Sequence, residues 1–295
     1  MRRYRKAIGE WEEFQAALAR PLPTVIRTNT LRVTPEELRA RLAAQGLGPT
    51  PLPWDPTAFR VTAGGAGNTL EHWLGHYYVQ EASQALPARA LDPRPGETVL
   101  DMCAAPGGKA TQVAQMMENR GTLVANDPVS KRLRALLANL YRLGVLCALV
   151  TQRRGEQFPG EGTFDRVLVD APCSGEGTAR KHPHLRAGAP PARIRQLAAL
   201  QRRLLVRALR LVRPGGRVVY ATCTLAPEEN EEVVDYVLDR GLAELVPWSP
   251  AAPHASGLTE FAGRRYARDL GQAVRIYFHH LDSEGGFIAV LRRPH

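Results

Sequence analysis

The segment Thr98-Val99-Leu100-Asp101-Met102-Cys103-Ala104-Ala105-Pro106-Gly107-Gly108-Lys109 decides the fold. Its first four residues read as a short apolar strand ending in an acid. Small residues and two glycines follow, and a helix is expected from there to about Met117. A small, glycine-rich turn lets a ligand approach the backbone, and the helix behind it offers free N–H groups. The turn is not a P-loop. Cys103 stands where the first glycine belongs, and Ala110 where Ser or Thr would hold magnesium. Nor does it match the G-x-G-x-x-G of dinucleotide-binding folds. On these residues alone, an ordinary strand-to-helix turn stays open beside a ligand loop.

Downstream, strand and helix patterns alternate. Strands are expected at Thr122–Ala125, Leu146–Thr151, Phe164–Val169 and Arg217–Ala221. Helices are expected at Val129–Leu143, Ala192–Val212 and Glu228–Leu238, with late strands at Val274–Phe278 and Gly286–Leu291. Such alternation predicts an α/β fold, a mostly parallel sheet wrapped by helices. Upstream, Tyr4, Ile8, Trp11, Phe14 and Leu18 fall at helical spacing, Val25–Leu31 is strand-like, and Thr34-Pro35 opens a helix to about Ala44. Pro51–Val61 is extended, and Gly64 to Asn68 is a loop. Residues 1–75 are thus expected to be a small α/β unit and 76–295 the larger domain, entered by a helix at Gln80–Leu91.

Ligands of open parallel sheets sit at the carboxyl ends of the strands. Asp127 ends the second strand, about twenty residues past the glycines, as the ribose-binding acid of dinucleotide folds does. It also suits a helix N-cap. Asp170-Ala171-Pro172-Cys173 follows the fourth strand and Thr222-Cys223-Thr224 the fifth. If these strands are neighbours, both thiols face one cleft. Cys147 lies inside a strand and reads as core, and Cys103 as loop packing.

The chain of 295 residues carries a net charge of +10. Between Gly177 and Pro227 there are eleven basic residues and no acid, so the remainder sums to −1 (10 − 11). That local excess suits a polyanion such as nucleic acid, although a solvated arginine-rich helix would also account for it. With 44% hydrophobic and 23% charged residues the composition is globular. No apolar run approaches a membrane span, and the N-terminus has no signal-peptide core. Four cysteines without a C-x-x-C pair argue against a disulfide framework or a zinc ribbon, so a reducing cytoplasm is expected. No metal site is expected: His182 and His184 flank a proline, and His279 and His280 are adjacent, which suits phosphate contact or surface exposure.

The segments VLDMCAAPGGK, VAND, VLVDAPCSGEGTARK and YATCTLAPEENE, with IRTNTLR and YYVQEAS upstream, resemble the Nop/Sun family of RNA 5-methylcytosine methyltransferases. The likeness covers residues 20–295 and is nearest to the bacterial F-type small-subunit rRNA enzymes. It implies a class I S-adenosylmethionine-dependent methyltransferase fold, Rossmann-like with a seven-stranded sheet, and an N-terminal RNA-binding unit. It further implies that Cys103, Ala104, Ala105, Pro106, Gly107, Gly108 and Lys109 hold the methionine part of S-adenosylmethionine and that Asp127 binds its ribose. Asp170 lies between cofactor and base, Cys223 is the nucleophile, Cys173 assists release, and Lys109 supplies a positive field to the thiol. Arg27, Arg180 and Lys181 are the RNA contacts expected from the likeness and the charge. One departure stands out: Thr151-Gln152-Arg153-Arg154-Gly155 lacks the acid that relatives often place near the adenine. The segment also carries neither the C-terminal accessory domain of many F-type enzymes nor the helical N-terminal domain of the B-type ones.

The expected protein is a cytoplasmic monomer that methylates small-subunit (16S) rRNA, with tRNA second. Two other readings are weighed. A DNA cytosine-5 methyltransferase would use the Pro-Cys thiol instead. A ribosome assembly factor with a vestigial site is opposed by the intact Cys223, Cys173, Asp170 and glycine loop. The missing G-x-G-x-x-G disfavours a dehydrogenase.

Overall fold

Strand and helix signals become two large sheets and a two-stranded ribbon, with buried arginines at the seams. The computed structural model describes residues 1–62 and 64–295. Helix α1 (Trp11–Ala19) leads into β1 (Thr24–Thr28), α2 (Pro35–Ala44), β2 (Thr50–Leu52), β3 (Asp55–Val61), α3 (Leu70–Trp73) and β4 (Tyr77–Val79). These strands form an antiparallel sheet ordered β2-β3-β1-β4. Thr34 caps α2 in a capping box with Glu37, as its sequence suggested.

The larger unit follows as α4 (Leu86–Leu91), β5 (Thr98–Asp101), α5 (Gly108–Met116), β6 (Thr122–Asn126), α6 (Ser130–Arg142), β7 (Ala148–Thr151), β8 (Phe164–Asp170), α7 (Pro191–Leu211), β9 (Val212–Thr222) and α8 (Glu231–Leu238). Short strands β10 (Glu244–Leu245), β11 (Ala255–Ser256), β12 (Glu260–Phe261) and β13 (Arg264–Arg265) precede β14 (Val274–Ile276), α9 (Phe278–Leu281) and β15 (Gly286–Arg292). The main sheet runs β11-β14-β15-β9-β8-β5-β6-β7, with β10 beside β15. The five strands from β9 to β7 are parallel, and β15 and β14 pair antiparallel. These are the seven expected strands; the two-residue β10 and β11 extend them to nine. One face packs on α7 and α8 through Leu204, Leu205, Leu209, Val233 and Val237, the other on α4, α5 and α6 through Leu86, Val113 and Leu136. Each such side chain taken from water contributes roughly 1.5–3 kcal/mol.

Several boundaries depart from expectation. The helix over 4–18 begins only at Trp11: Gly9 interrupts it, and Tyr4 and Ile8 are buried from a turn instead. Together with α1 they pack on Tyr277, Phe278 and Leu225, so the first twenty residues join the larger unit, not the N-terminal sheet. Strand β4 lies past the expected boundary at 75/76 yet pairs with β1. Gln80 continues that pairing through its N–H to Val25, which delays the helix expected from 80 to the turn at Ser83.

Two arginines expected at an RNA surface are buried in these seams. Arg27 is 2% exposed; it donates to Gln80 (2.7 Å), Thr111 (3.0 Å) and Gln115, docking β1 on α5. The Arg180 side chain is fully buried, 2.8 Å from Asp282, and donates to the carbonyls of Pro21 and Ser283. Neither presents a guanidinium to a polyanion. Both serve as polar cross-links, because a buried cation is tolerated only when paired and hydrogen-bonded.

Candidate active site

The chain runs from β5 outward to β6 and β7, then returns to β8 on the other side of β5. That reversal opens a crevice at the ends of β5 and β8. The loop Cys103–Gly107 leaves β5 there, and Asp170 ends β8. Gly107 has φ 111°, a conformation that side chains rarely adopt, and a Cβ on Gly108 would sit 3.2 Å from the Tyr78 ring. The glycines are thus required by the turn and by the approach of β4.

Lys109 is buried in the first turn of α5, with Nζ 2.8 Å from Asp170 Oδ2 and 2.6 Å from Gln84 Oε1. Burial works against its ammonium, but Asp170 and Cys223 raise it overall, so the cation is retained. Asp101 is buried: Oδ1 accepts from the Cys103 N–H, whereas Oδ2 has no protein partner. Burial, then the Asp170 charge, pushes its carboxyl up to about 7. Asp127 is also buried. Its Oδ1 accepts from the Val129 N–H (2.9 Å), the helix-entry bond, and its Oδ2 lies 3.0 Å from Arg132. Arg132 reaches on to the Ala105 carbonyl at 2.5 Å and so couples Asp127 to the glycine-rich loop.

Strands β8 and β9 are parallel neighbours, and Cys173 Sγ lies 3.3 Å from Cys223 Sγ. The bond to Cys223 and burial hold the Cys173 thiol well above its usual range. Glu229 fixes this arrangement: its Oε2 accepts from the Ser174 N–H (2.9 Å) and from Gln201 (2.8 Å), which also holds the Pro172 carbonyl. Asn230 bonds Thr222 Oγ1 (2.6 Å) and the Thr224 carbonyl (3.1 Å), clamping the Thr-Cys turn. The Cys223 carbonyl accepts from Gly177 N–H (3.0 Å), whose own carbonyl accepts from Gly285 N–H (2.8 Å). A Cβ on Gly177 would lie 2.3 Å from the Gly285 oxygen, so no larger residue fits.

A cavity of about 220 Å³ opens beside the Lys109–Asp170 pair, lined by Ala105, Pro106, Lys109, Asp170, Lys181 and Glu284 among others. Ala104 lines it also. Of the three expected RNA contacts, only Lys181 is exposed at this crevice. Glu81 and Glu284 line it too, and burial with mutual repulsion pushes Glu81 up to about 7. The Cys103 thiol, at the start of the loop, is raised far by burial and then by Asp101, Asp170 and Asp127. Cys147 is half-buried, packed against the core of the α5–α6 face.

Sequence reasoning gave no role to Glu229, Gln201, Gln84 or Asp101. Glu229 and Asp101 do lie inside motifs already singled out, APEENE and VLDM; Gln84 and Gln201 carry no comparable signal. His279 and His280 are half-buried rather than surface residues, and with Glu10 they bring three donors within 4.8 Å of one another. His280 Nδ1 already accepts the Tyr277 N–H, which puts a proton on its other ring nitrogen and removes it as a ligand.

A Rossmann-like sheet with a crevice carrying a glycine-rich loop, two acids and paired thiols defines a class I methyltransferase fold. Comparison with known proteins supplies the family. The model of the family described as 16S rRNA methyltransferase RsmB/F matches residues 88–292, and that of the N-terminal domain of 16S rRNA methyltransferase RsmF matches 1–82. A tRNA (cytosine(49)-C(5))-methyltransferase of Pyrococcus abyssi (strain GE5 / Orsay) is 40% identical over 99% of this chain and 94% of its own length. The ribosomal RNA small subunit methyltransferase F of Aliivibrio fischeri (strain MJ11) is 38% identical over 96% of this chain, which spans 60% of that protein. The crystal structure of a methyltransferase homolog protein from Pyrococcus horikoshii superposes with TM-score 0.86 at 37% identity, covering 99% of this chain and 93% of that one. The chain belongs to the RsmB/F family of RNA cytosine-C5 methyltransferases. Methyltransferases of this kind draw their methyl group from S-adenosylmethionine. Among the described residues, no helix is long and apolar enough to cross a membrane.

Proposed function

We propose that this protein methylates C5 of a cytosine in small-subunit rRNA, with Cys223 as nucleophile and S-adenosylmethionine as methyl donor. The observation that carries the reading is the paired thiols at 3.3 Å beside the Lys109–Asp170 ion pair. The residues fit the cofactor: the glycine loop would meet its methionine part, Asp127 would take the ribose through Oδ2, and Asp101 Oδ2, a buried acceptor without a partner, suits its amino group. When bound, S-adenosylmethionine supplies an electrophilic methyl group.

Carbon 5 of cytosine is too electron-poor to take that methyl unaided. Addition of the Cys223 thiolate at C6 makes C5 an enamine-like nucleophile. Asp170, transiently protonated, donates to ring N3 to balance the charge of the adduct and takes that proton back when the C6–S bond breaks. After methylation a base removes the C5 proton, the C6–S bond breaks and the Cys223 thiolate leaves. Cys173, still protonated, donates to the departing sulfur. Lys109 keeps a positive charge beside both steps. The base must leave its stack to reach the crevice, so a loop or single strand is the expected substrate.

A second reading, tRNA, is favoured by one observation: the tRNA relative matches over 94% of its own length, whereas the small-subunit rRNA relative is matched over 60%. Bisulfite sequencing of RNA from a strain lacking the gene separates them. Loss of a 5-methylcytosine from 16S rRNA supports the first reading, and loss from tRNA alone replaces it with the second. A cytoplasmic monomer remains the expected form.

A further inference from the structure

The charge concentrated between Gly177 and Pro227 does not collect at the crevice. Arg180 is internal, Arg213 pairs with Asp165 at 2.5 Å, and Arg217 donates to the Ala90 carbonyl. Lys181 stays at the crevice and Arg186 bonds the Leu18 and Ala179 carbonyls, while the other six, Arg193, Arg195, Arg202, Arg203, Arg207 and Arg210, lie on α7. This helix buries Ile194, Leu197, Leu204, Leu205 and Leu209, and turns its arginines outward. Between α7 and α8 lies a groove of about 440 Å³ lined by Arg202, Arg203, Arg207, Arg210, Glu156 and Tyr236, with Ala199 and Val206 on its floor.

The groove has little internal compensation. Glu156 is taken by Arg154, at 2.9 and 2.6 Å. Arg203 bonds only its own helix, at the Ala199 carbonyl, and among the described residues no carboxylate lies within ion-pair distance of Arg203 or Arg210. Arg202 is 3.5 Å from Glu232, and Arg207 is 3.7 Å from Glu161. Tyr236 is stacked by Arg240 (3.8 Å) and Arg202 (5.4 Å), so its ring orders guanidinium groups and is not free to stack a base. Arginine forks without a free aromatic face recognise phosphate, not sequence.

We infer that the α7–α8 groove is a second RNA site, holding the phosphate backbone of the strand that flanks the target cytosine. Its position supports this. Gln201, on the same turn as Ala199 and Arg202 of the groove but facing the core, holds the Pro172 carbonyl of the Cys173 loop, so the first turn of the groove is tied through α7 to the crevice. Arg203 and Arg210 lie seven residues apart, about 10.5 Å along the helix, and so engage more than one phosphate of the same strand. The inference rests on RNA being the substrate.

The test uses the full chain with two RNAs, a long transcript containing the target and a short oligonucleotide of the target loop alone. The doubly reversed variant Arg203→Glu/Arg210→Glu should bind the transcript at least tenfold more weakly. Its slope of log affinity against log salt should be shallower by about 2. Affinity for the short oligonucleotide, and kcat at saturating RNA, should stay as in the wild type. An Arg203→Lys/Arg210→Lys variant should retain the slope. If charge reversal unfolds the chain, Arg203→Gln/Arg210→Gln is measured instead, with the same direction expected. A wild type that methylates RNA while the variants keep its slope overturns the groove assignment but leaves the catalytic reading intact. Wild-type protein that neither binds nor methylates RNA overturns the reading itself. An unchanged slope together with loss of binding to a poly-glutamate probe would make the groove an acidic-peptide site and equally overturn the inference.

Discussion

Cys173 Sγ lies 3.3 Å from Cys223 Sγ, at the ends of two neighbouring parallel strands. The distance makes the two thiols one unit. The bond to Cys223 and burial push the Cys173 thiol up. Geometry alone allows either to attack; the charge of Lys109 and the family's Thr-Cys motif point to Cys223.

The pair can be separated by mutation. Cys223→Ala should abolish methylation while S-adenosylmethionine still binds. Cys173→Ala should still attack and methylate but fail to release, and a covalent protein–RNA complex should build up as a slow band on a denaturing gel. The band should require a target cytosine and vanish in the double variant. The reverse pattern, with Cys223→Ala trapping RNA, would assign the nucleophile to Cys173.

Asp127→Ala should weaken S-adenosylmethionine binding by about 1.5–3 kcal/mol for each charge-assisted bond lost, seen by calorimetry. RNA affinity should hold. Because Asp127 also braces Val129 and Arg132, a small drop in melting temperature should accompany it. An unaltered cofactor affinity would leave Asp127 with the helix-entry role alone.

Arg180→Ala and Lys181→Ala, neighbours in sequence, should behave differently. The first removes a buried cation paired with Asp282 and should cost about 3 kcal/mol of stability, read by denaturant unfolding, without changing the salt slope of RNA binding. The second removes an exposed cation at the crevice and should weaken RNA binding with little loss of stability. Equal stability losses would contradict the contrast in burial.

Asp101 sets a pH dependence. Its carboxyl stands near 7 in the folded chain against the ordinary 3.8. As pH rises from about 4 to 7, the unfolded chain releases this proton while the folded chain retains it, so stability falls through that window and levels off above it. Glu81, also near 7, adds to the same slope. Asp101→Asn should flatten the melting-temperature profile between pH 4 and 7. An identical slope in both proteins would show that Asp101 does not carry a raised pKa.

The alternation of strands and helices was legible because strand ends carry unusual residue types: Asp127, Asp170, Cys173 and Cys223 stand where apolar runs end, although only the structure shows β8 and β9 to be neighbours. The RNA-contact expectations fared worse for Arg27 and Arg180. Counting charge cannot distinguish an arginine facing solvent from one whose partner comes from a distant segment; Asp282 stands about a hundred residues past Arg180. Glu229 and Gln201 were overlooked for a related reason. They act by bonding a loop that arrives from another strand, and no local spacing announces such a contact.

The crossing of Gly177, Cys223 and Gly285 has a consequence for how the enzyme is made. The Thr-Cys turn is held from one side by a loop preceding α7 and, through it, by the turn that enters β15. Synthesis proceeds from the N-terminus, so Cys223 leaves the ribosome some sixty residues before Gly285 does. Until β15 inserts between β9 and β14, the turn lacks its backstop, and the thiol is present but not aimed. Seating of the Thr-Cys turn thus waits on β15, and under the proposed chemistry a chain stopped before Gly285 is expected to carry Cys173 and Cys223 and yet fail to methylate RNA.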